Sequence, residues 1–364
     1  MLSTSAIIGT IVFLYGLVFG SFLNVCIYRL PRGESVVRPR SRCPGCGNTI
    51  SAWRNIPIVS FLLLRGKCGS CRSPISWRYP AVELLTGLLL AALYFRFGWT
   101  SYFLVNALFV CLVVVLVFTD LDRRILPDIL TKGGLVAGIL LSPLQDPSIM
   151  GMEMLPESFP DLVRQVGNPV LSSLAGVLFG AGFLWSVAWL YLKIRKIEGM
   201  GFGDIKMIAM IGAFLGWQLT WLTILLGSLL GAVLGGGYMV LGRFWSDEED
   251  HGDSGSGLSR GAKRKVVEKI DINLASADEL QKLPGVGPDL AERIIEFGLE
   301  SGPYKRKSDL LGVEGIGQRE YELLRDRITA RFLLPFGTFL GIAAIAAAFF
   351  GPDLIEWYFS RLVN

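Results

Sequence analysis

The sequence predicts an all-α polytopic membrane protein of about eight transmembrane helices, with a cytoplasmic four-cysteine loop and a small soluble α-helical domain. Hydrophobic residues make up 52% of the 364 positions, and the mean hydropathy is +0.50. Several apolar runs approach the roughly 20 residues that cross a hydrocarbon core. The four cysteines form two closely spaced pairs, and one polar stretch before the last apolar run has the composition of a soluble domain.

The apolar runs are interpreted as eight spans. They cover residues 6–28, 80–97, 102–119, 129–144, 169–192, 205–217, 219–241 and 332–350. Basic residues follow the first run but do not precede it, which predicts an outside N-terminus and a cytoplasmic segment after that run. The even count then places both termini outside and the acidic loop 145–168 in the periplasm. Because the run 205–217 is short and contains glycine, it is expected to be tilted or broken.

The histidine content excludes several kinds of catalysis. The only histidine, His251, lies in an acidic stretch rich in Gly and Ser. Catalytic Ser-His-Asp and Cys-His arrangements need a positioned imidazole, and histidine-based zinc hydrolase sites need two or three. Any catalysis must therefore use carboxylates, thiolates, Lys or Tyr. The net charge of +4 indicates little about ligands, because basic residues in membrane proteins mainly report orientation.

Two carboxylate-bearing segments lie at the predicted cytoplasmic surface. Residues 119–128 read TDLDRRILPD and residues 199–206 read GMGFGDIK. Ionisable groups at membrane depth are costly unless they are paired or face a wet cavity, so both segments are candidate functional sites. The glycines before Asp204 allow close backbone approach and place that residue at a helix start.

Two carboxylates brought together can share a proton, so that one acts as a base towards water and the other as an acid. This is aspartic peptidase chemistry. The alternative is that Asp204 only caps the following helix, while the aspartates of 119–128 are solvated charges beside arginines.

The ordered motifs resemble the type IV prepilin peptidases, also called leader peptidase/N-methyltransferases. The resemblance rests on GSFLNVCIYRLPR (20–32), CPGCGNTISAWRNIPIVSFLLLRGKC (43–68), ISWRYPAVELLTG (75–87), TDLDRRILPDILT (119–131) and GMGFGDIKMIAMIGAFLGW (199–217). It implies that Asp120 and Asp204 are catalytic. The supporting residues it implies are Asp122, Asp128, Lys206, Gly201 and Gly203.

The resemblance also implies a location and a substrate. The chain is expected in the bacterial inner membrane, in contact with lipid, with its active site and inserted domain on the cytoplasmic side. The substrate would be a prepilin-like protein of a type IV pilus or type II secretion system, with a basic leader cut after Gly. Members with these cysteines also methylate the new N-terminus with S-adenosylmethionine. Glu83 is a candidate for this second activity, and a hydrogen-bonded structural glutamate is the alternative.

The cysteine pairs predict a metal site. Their spacing, C-x2-C-x21-C-x2-C, is typical of a zinc site in which four thiolates surround one ion. Such a site is coordinatively closed and therefore structural. The alternative is four reduced thiols without metal, since disulfides are disfavoured in a cytoplasmic loop. The predicted ligands are Cys43, Cys46, Cys68 and Cys71.

The segment 270–328 resembles the tandem helix-hairpin-helix domain of competence-type DNA-binding proteins. LPGVGPDLAERI (283–294) and VEGIGQREYELL (313–324) repeat one pattern. In that motif, backbone N–H groups of a Gly-x-Gly turn meet a phosphate. Residues 246–331 contain fourteen Lys/Arg and eighteen Asp/Glu, an acidic balance that disfavours DNA. A protein-interaction or spacer role is the alternative. The candidate phosphate contacts are Gly285, Gly287, Gly315 and Gly317.

The predicted organisation has six parts. They are the first transmembrane helix (1–28), the cytoplasmic four-cysteine loop (29–79), the transmembrane aspartic peptidase domain (80–245), a linker (246–265), the tandem helix-hairpin-helix domain (266–331) and the last helix with its tail (332–364). Besides a peptidase with methyltransferase activity, two hypotheses remain. One is a membrane-tethered DNA-binding component of an uptake or pilus system, and the other is a zinc-stabilised, non-catalytic assembly scaffold.

Overall fold

A computed structural model gives the fold. It describes residues 4–43, 45–145, 161–196, 201–246, 270–273, 275–301, 304, 306–325, 327–329 and 336–363. Most of the predicted periplasmic loop and the predicted linker lie outside these residues. The chain divides into two compact units. The first comprises Met1–Leu121, Ile125–Leu230 and Phe336–Asn364, and the second comprises Gly231–Pro335 with Asp122–Arg124.

The described elements are mainly helices. In chain order they are α1 (Thr4–Arg29), α2 (Val59–Leu63), α3 (Arg78–Phe97), α4 (Ser101–Arg123), α5 (Asp128–Leu141), α6 (Asp161–Arg195), α7 (Phe202–Ser246), β1 (Ile270–Asp271), α8 (Ala277–Leu280), α9 (Pro288–Ser301), α10 (Gln318–Arg325), β2 (Ile328–Thr329) and α11 (Phe336–Val363). Short 3-10 helices occupy Leu30–Arg32, Ala52–Asn55, Ser142–Leu144 and Lys307–Gly312.

Among the described residues, six helices are long and apolar enough to cross a membrane. They are α1, α3, α4, α6, α7 and α11. The predicted count of eight spans is not confirmed, for two reasons. Helix α5 has only 14 residues. Helix α7 runs through both 205–217 and 219–241, with its helical geometry interrupted at Gly216, whose φ is 74°. Glycine adopts this positive φ without a steric penalty, so the chain bends there without a loop.

Glycines bring the membrane helices into backbone contact. A Cβ on Gly16 would lie 2.7 Å from Gly87 Cα, so α1 and α3 touch along their backbones. A Cβ on Gly212 would lie 2.4 Å from the carbonyl carbon of Gly176, which places α7 equally close to α6. Lipid tails are as apolar as the helices, so association in a membrane depends on such close packing.

Helix α11 lies in the core of the first unit. Leu340 is fully buried, as are the alanines on the same side of the helix, Ala343, Ala344, Ala347 and Ala348. A Cβ on Gly341 would lie 2.3 Å from a methyl group of Val117 and 3.1 Å from Met207 Cε. Helix α11 therefore packs against both α4 and α7.

The second unit has a hydrophobic core of its own. Within it, a parallel strand pair places Ile270 opposite Ile328. Short helices fill the space between, and α8 begins with a capping box formed by Ser276 and Glu279. The buried core side chains include Leu280, Ala291, Ile294, Leu310, Leu324 and Ile328.

Candidate active site and cysteine cluster

The two aspartates predicted to pair lie together at the ends of two helices. Asp120 is in the last turn of α4 and is 5% exposed, while Asp204 is partly buried in the first turn of α7. A carboxylate in a first helical turn is favoured by the helix dipole. A Cβ built on Gly337 would lie 3.0 Å from Asp120 Oδ2 and 3.1 Å from Asp204 Oδ1. The two carboxyl groups also interact electrostatically. Both carboxyl groups therefore lie beside Gly337 and close to each other.

Asp120 is held by a residue that the sequence reasoning missed. The backbone N–H of Thr338, in the first turn of α11, donates to Asp120 Oδ2 at 2.6 Å. The Thr338 hydroxyl lies 2.9 Å from the same oxygen and 3.3 Å from the Val117 carbonyl oxygen. A hydroxyl directly inside the last apolar run is the sequence signal that could have identified this residue.

The glycines of the GMGFGD segment have different surroundings. A Cβ on Gly203 would lie 3.2 Å from Leu126 Cδ1, which is tighter than ordinary contact. At Gly201 a Cβ would meet only Asp204 Oδ2, at 3.8 Å. Gly203 therefore allows the start of α7 to approach the loop that precedes α5. Gly199 lies outside the described residues.

An ion pair links α5 to α7 close to the aspartates. Asp128 Oδ1 accepts a hydrogen bond from Lys206 Nζ at 2.6 Å, and Asp128 Oδ2 lies 2.7 Å from Lys132 Nζ. The hydrogen bonds from Lys132 and Lys206 lower the pKa of Asp128. Asp122 is half-buried in the last turn of α4. The structure thus brings Asp128 and Lys206 together. Lys206 is two residues after Asp204 on α7.

Glu83 makes a structural contact. It is 8% exposed on α3, and its Oε2 accepts the backbone N–H of Ile58 at 2.8 Å. Ile58 precedes α2 and has a positive φ of 60°. The carboxylate therefore satisfies a backbone donor in a turn that a β-branched residue rarely adopts. This contact corresponds to the structural alternative for Glu83.

The four predicted metal ligands converge on one point. The Sγ atoms of Cys43, Cys46, Cys68 and Cys71 all lie within 4.8 Å of one another, and all four thiols are free. The Sγ atoms of Cys43 and Cys71 are 3.8 Å apart. A tetrahedral ion with Zn–S bonds of about 2.3 Å separates its sulfurs by about 3.8 Å. The cluster therefore has the dimensions and the ligand set of a zinc site.

Two similar turns build this cluster. The N–H of Gly47 donates to the Cys43 carbonyl at 2.8 Å, and the N–H of Arg72 donates to the Cys68 carbonyl at 3.0 Å. Gly47 and Arg72 both have positive φ, 69° and 62°. Each turn follows the first cysteine of a pair and ends just after the second, so both sulfurs of each pair face inward.

A hydroxyl group beside two of the four thiols, those of Cys71 and Cys43, favours the ionised form of these two. Ser73 Oγ lies 3.1 Å from Cys71 Sγ and 3.7 Å from Cys43 Sγ. Hydrogen bonding with Ser73 lowers the pKa of Cys71, and it lowers the pKa of Cys43 to about 6. Thiolates are the metal-binding form of cysteine.

The two Gly-x-Gly turns of the second unit have the same local geometry. Gly285 and Gly315 have positive φ, 82° and 98°, and each turn leads into a helix, α9 or α10. In the second turn, however, the N–H of Gly317 donates to Glu320 Oε2 at 3.0 Å. That N–H is therefore already paired with an anionic group of the protein.

Comparisons with known families match most of the chain in three parts. The Bacterial Peptidase A24 N-terminal domain matches residues 14–97, and the Type IV leader peptidase family matches residues 107–236. The Helix-hairpin-helix motif matches residues 265–329. No solved structure gives a significant match.

Curated relatives named prepilin leader peptidase/N-methyltransferase match more than half of the chain. One from Myxococcus xanthus is 44% identical over 57% of this chain and 56% of its own length. One from Aeromonas hydrophila is 39% identical over 64% of this chain and 81% of its own length. One from Pseudomonas aeruginosa is 37% identical over 57% of this chain and 72% of its own length. These matches confirm the resemblance inferred from the motifs. They also confirm, at the level of the family, the prediction of an enzyme. The chain belongs to the type IV leader peptidase family and carries an additional helix-hairpin-helix segment.

Proposed function

We propose that this protein is an aspartic endopeptidase that cleaves the leader of prepilin-like proteins after Gly at the cytoplasmic membrane face. The observation that carries the proposal is the meeting of Asp120 and Asp204 at Gly337. Two carboxyls on one site cannot readily both ionise, so they share a proton and divide the roles of base and acid.

The proposed reaction uses the dyad and one water molecule. The ionised aspartate takes a proton from water as the water oxygen bonds to the scissile carbonyl carbon. The protonated aspartate gives its proton to the carbonyl oxygen. The aspartate that took the proton from water now gives it to the leaving nitrogen, and the C–N bond breaks. One hydroxyl of the tetrahedral intermediate returns its proton to the other aspartate as the carbonyl re-forms in the carboxylic acid of the leader, which restores the dyad. The products are the free leader and a new N-terminal amine.

The position of the dyad suits such a substrate. Asp120 ends α4 and Asp204 begins α7, so both carboxyls lie at the end of a membrane helix rather than at its centre. A substrate helix embedded beside the enzyme would present its scissile bond where the leader leaves the bilayer. Acidic residues near the site, such as the half-buried Asp122, would attract a basic leader.

The first test is cleavage of a prepilin-like substrate in membranes by the wild type and by Asp120→Asn and Asp204→Asn at matched expression. Each variant keeps its shape but loses an ionisable group, so cleavage should fall at least about 10³-fold, since base and acid functions are both required. Activity that persists in either variant would contradict the dyad. An inert wild type on several substrates would favour the non-catalytic scaffold.

The same chain is proposed to methylate the new N-terminus. Relatives bear the name N-methyltransferase, and S-adenosylmethionine would be the methyl donor. Glu83 already accepts a hydrogen bond from Ile58, which supports a structural role for it.

Zinc is proposed as the occupant of the cysteine cluster. The sulfur spacing and the convergence of all four cysteines on one point support it. Four thiolates fill the coordination shell, so the ion would stabilise the loop fold and would not activate water.

The inserted helix-hairpin-helix unit is proposed to bind a protein rather than DNA. Glu320 occupies the Gly317 N–H that a phosphate would need, and its negative charge would repel a phosphate. The acidic balance of residues 246–331 acts in the same direction.

A further inference from the structure

We propose that Thr338 is a positioning residue that holds Asp120 as the base of the dyad, and that Gly337 keeps space for substrate between the two carboxyls. The start of α11 would then be part of the active site. This inference rests on the proposed aspartic peptidase function and assigns the roles within it.

The hydrogen bonds to Asp120 indicate which aspartate is the base. Two donors of Thr338, its backbone N–H and its hydroxyl, converge on Asp120 Oδ2. Hydrogen bonds to a carboxylate favour its charged form. Asp120 is therefore the ionised member that takes a proton from water, and the shared proton belongs to Asp204, which protonates the carbonyl oxygen of the scissile bond.

Helix packing fixes Thr338 in this position. One turn further along α11, Gly341 lies against Val117 of α4 and Met207 of α7. Val117 and Met207 are each three residues from an aspartate of the dyad, in sequence and on the same helix. The contact at Gly341 thus aligns the start of α11 with both carboxyls, and the neighbouring Leu340 is fully buried.

Gly337 lies directly against the reacting groups. A Cβ there would lie 3.0 Å from Asp120 Oδ2, 3.2 Å from Asp120 Cγ and 3.1 Å from Asp204 Oδ1. Contacts this short would force the carboxyls to shift by a few tenths of an ångström. A side chain at position 337 would also occupy the volume that a water molecule or a scissile carbonyl needs.

The inference extends the site beyond the matched peptidase region. That region ends at residue 236, whereas Thr338 follows the inserted unit. Asp120 and Thr338 are 218 residues apart in sequence. Three separate stretches of the chain, the ends of α4, α7 and α11, would then form one active site.

The test compares kinetics of full-length variants in membranes. Thr338→Val keeps the shape and the backbone N–H but removes the hydroxyl, and Thr338→Ser keeps the hydroxyl. We expect kcat to fall about 10- to 100-fold in Thr338→Val with KM little changed, since a hydrogen bond to a charged group is lost. We expect Thr338→Ser to stay within about threefold of the wild type. Thr338→Ala is measured in parallel in case the valine variant does not accumulate.

The matched control is Thr223→Val. Thr223 is a buried threonine of α7 whose hydroxyl donates to the Leu219 carbonyl of its own helix at 2.7 Å. Its replacement should leave kcat unchanged. For position 337, Gly337→Ala should lower kcat at least about tenfold, whereas Gly182→Ala should not, because a Cβ on Gly182 meets nothing within 4 Å.

The outcomes separate this inference from the proposed function. If Asp120→Asn is inactive but folded Thr338→Val and Thr338→Ala both keep the wild-type kcat, the aspartic mechanism stands and the positioning role is wrong. Loss of kcat in Thr338→Ser as large as in Thr338→Val would also overturn it, because the hydroxyl would not be the group that matters. An inert wild-type protein would instead reject the proposed function itself.

Discussion

Charged side chains near the ends of α4 and α7 show how single residues are accommodated in an apolar protein. Asp120 accepts hydrogen bonds from Thr338, and Asp128 pairs with Lys206. Glu83, earlier in the chain on α3, accepts the N–H of Ile58. An isolated charge in such surroundings costs several kcal/mol, so partners of this kind are required. Asp120 differs from Glu83 in that it lies beside a second carboxyl, and this difference makes the first a catalytic candidate and the second a structural one.

A prediction at the residue scale concerns the cysteine cluster. Purified wild-type protein should contain about one zinc ion per chain, and Cys68→Ser should lose it, because a structural site needs all four thiolates. Metal release and elemental analysis measure the content. Cys111→Ser is the matched control, since Cys111 lies on α4 outside the cluster. Equal zinc in the wild type and in Cys68→Ser, or none in either, would contradict the site.

Glycine contacts decide how the helices pack. Helices α6 and α7 meet at Gly176 and Gly212, and α1 meets α3 at Gly16 and Gly87. In each pair the backbone of one helix occupies the place where a side chain of the other would stand. The contact at Gly212 sets how closely α7, the helix that carries Asp204 in its first turn, approaches α6.

A prediction at the element scale follows from the contact between α6 and α7. Gly212→Ala would place a Cβ 2.4 Å from the backbone of Gly176, so the helices must separate. Overpacking of this kind costs about 1–3 kcal/mol. The free energy of unfolding in mixed micelles is the measurement. Gly182→Ala on α6 is the control and should be neutral or stabilising by up to about 1 kcal/mol, from helix propensity alone. Equal stability of the two variants would show that this contact is loose.

Each of the two units of the molecule has a core of its own. The first contains the dyad and the cysteine cluster, and the second contains the paired Gly-x-Gly turns. The second unit is inserted between α7 and α11 in the chain. Its acidic balance and the contact between Gly317 and Glu320 bear on what the whole protein binds.

A prediction at the scale of the whole molecule concerns DNA. The full-length protein in nanodiscs should bind duplex DNA no more tightly than the weak non-specific range, with Kd above about 10⁻⁶ M at physiological salt. Fluorescence anisotropy at several salt concentrations measures this. Glu320→Ala removes the acceptor of the Gly317 N–H and is compared with Glu322→Ala, which makes the same change of charge on the exposed part of α10. Tight, salt-dependent binding by the wild type would favour the DNA-binding hypothesis.

Local pattern in the sequence was informative for the elements and for most of the candidate site. The apolar runs correspond to helices. The two CxxC pairs were predicted from residue type and spacing, and the two aspartates from the resemblance to the family. The number of spans could not be found in this way. Hydropathy registers an interruption near Gly216 but does not say whether the helix continues beyond it. Hydropathy likewise did not show that α5 has only 14 residues, because the ends of that helix depend on the elements on either side of it.

The sequence by itself determined the family and the helical class, and it predicted the cysteine quartet and the two aspartates, because the motifs that carry them are short stretches of the chain. Only the tertiary structure decided that Thr338 and Gly337 meet the aspartates, and that Glu320 bonds to Gly317. Periodicity encodes which face of a helix is buried, but not which helix it is buried against. A contact across 218 residues depends on how α4 and α7 fit against α11 at Gly337 and Gly341, and that fit exists only in the folded chain.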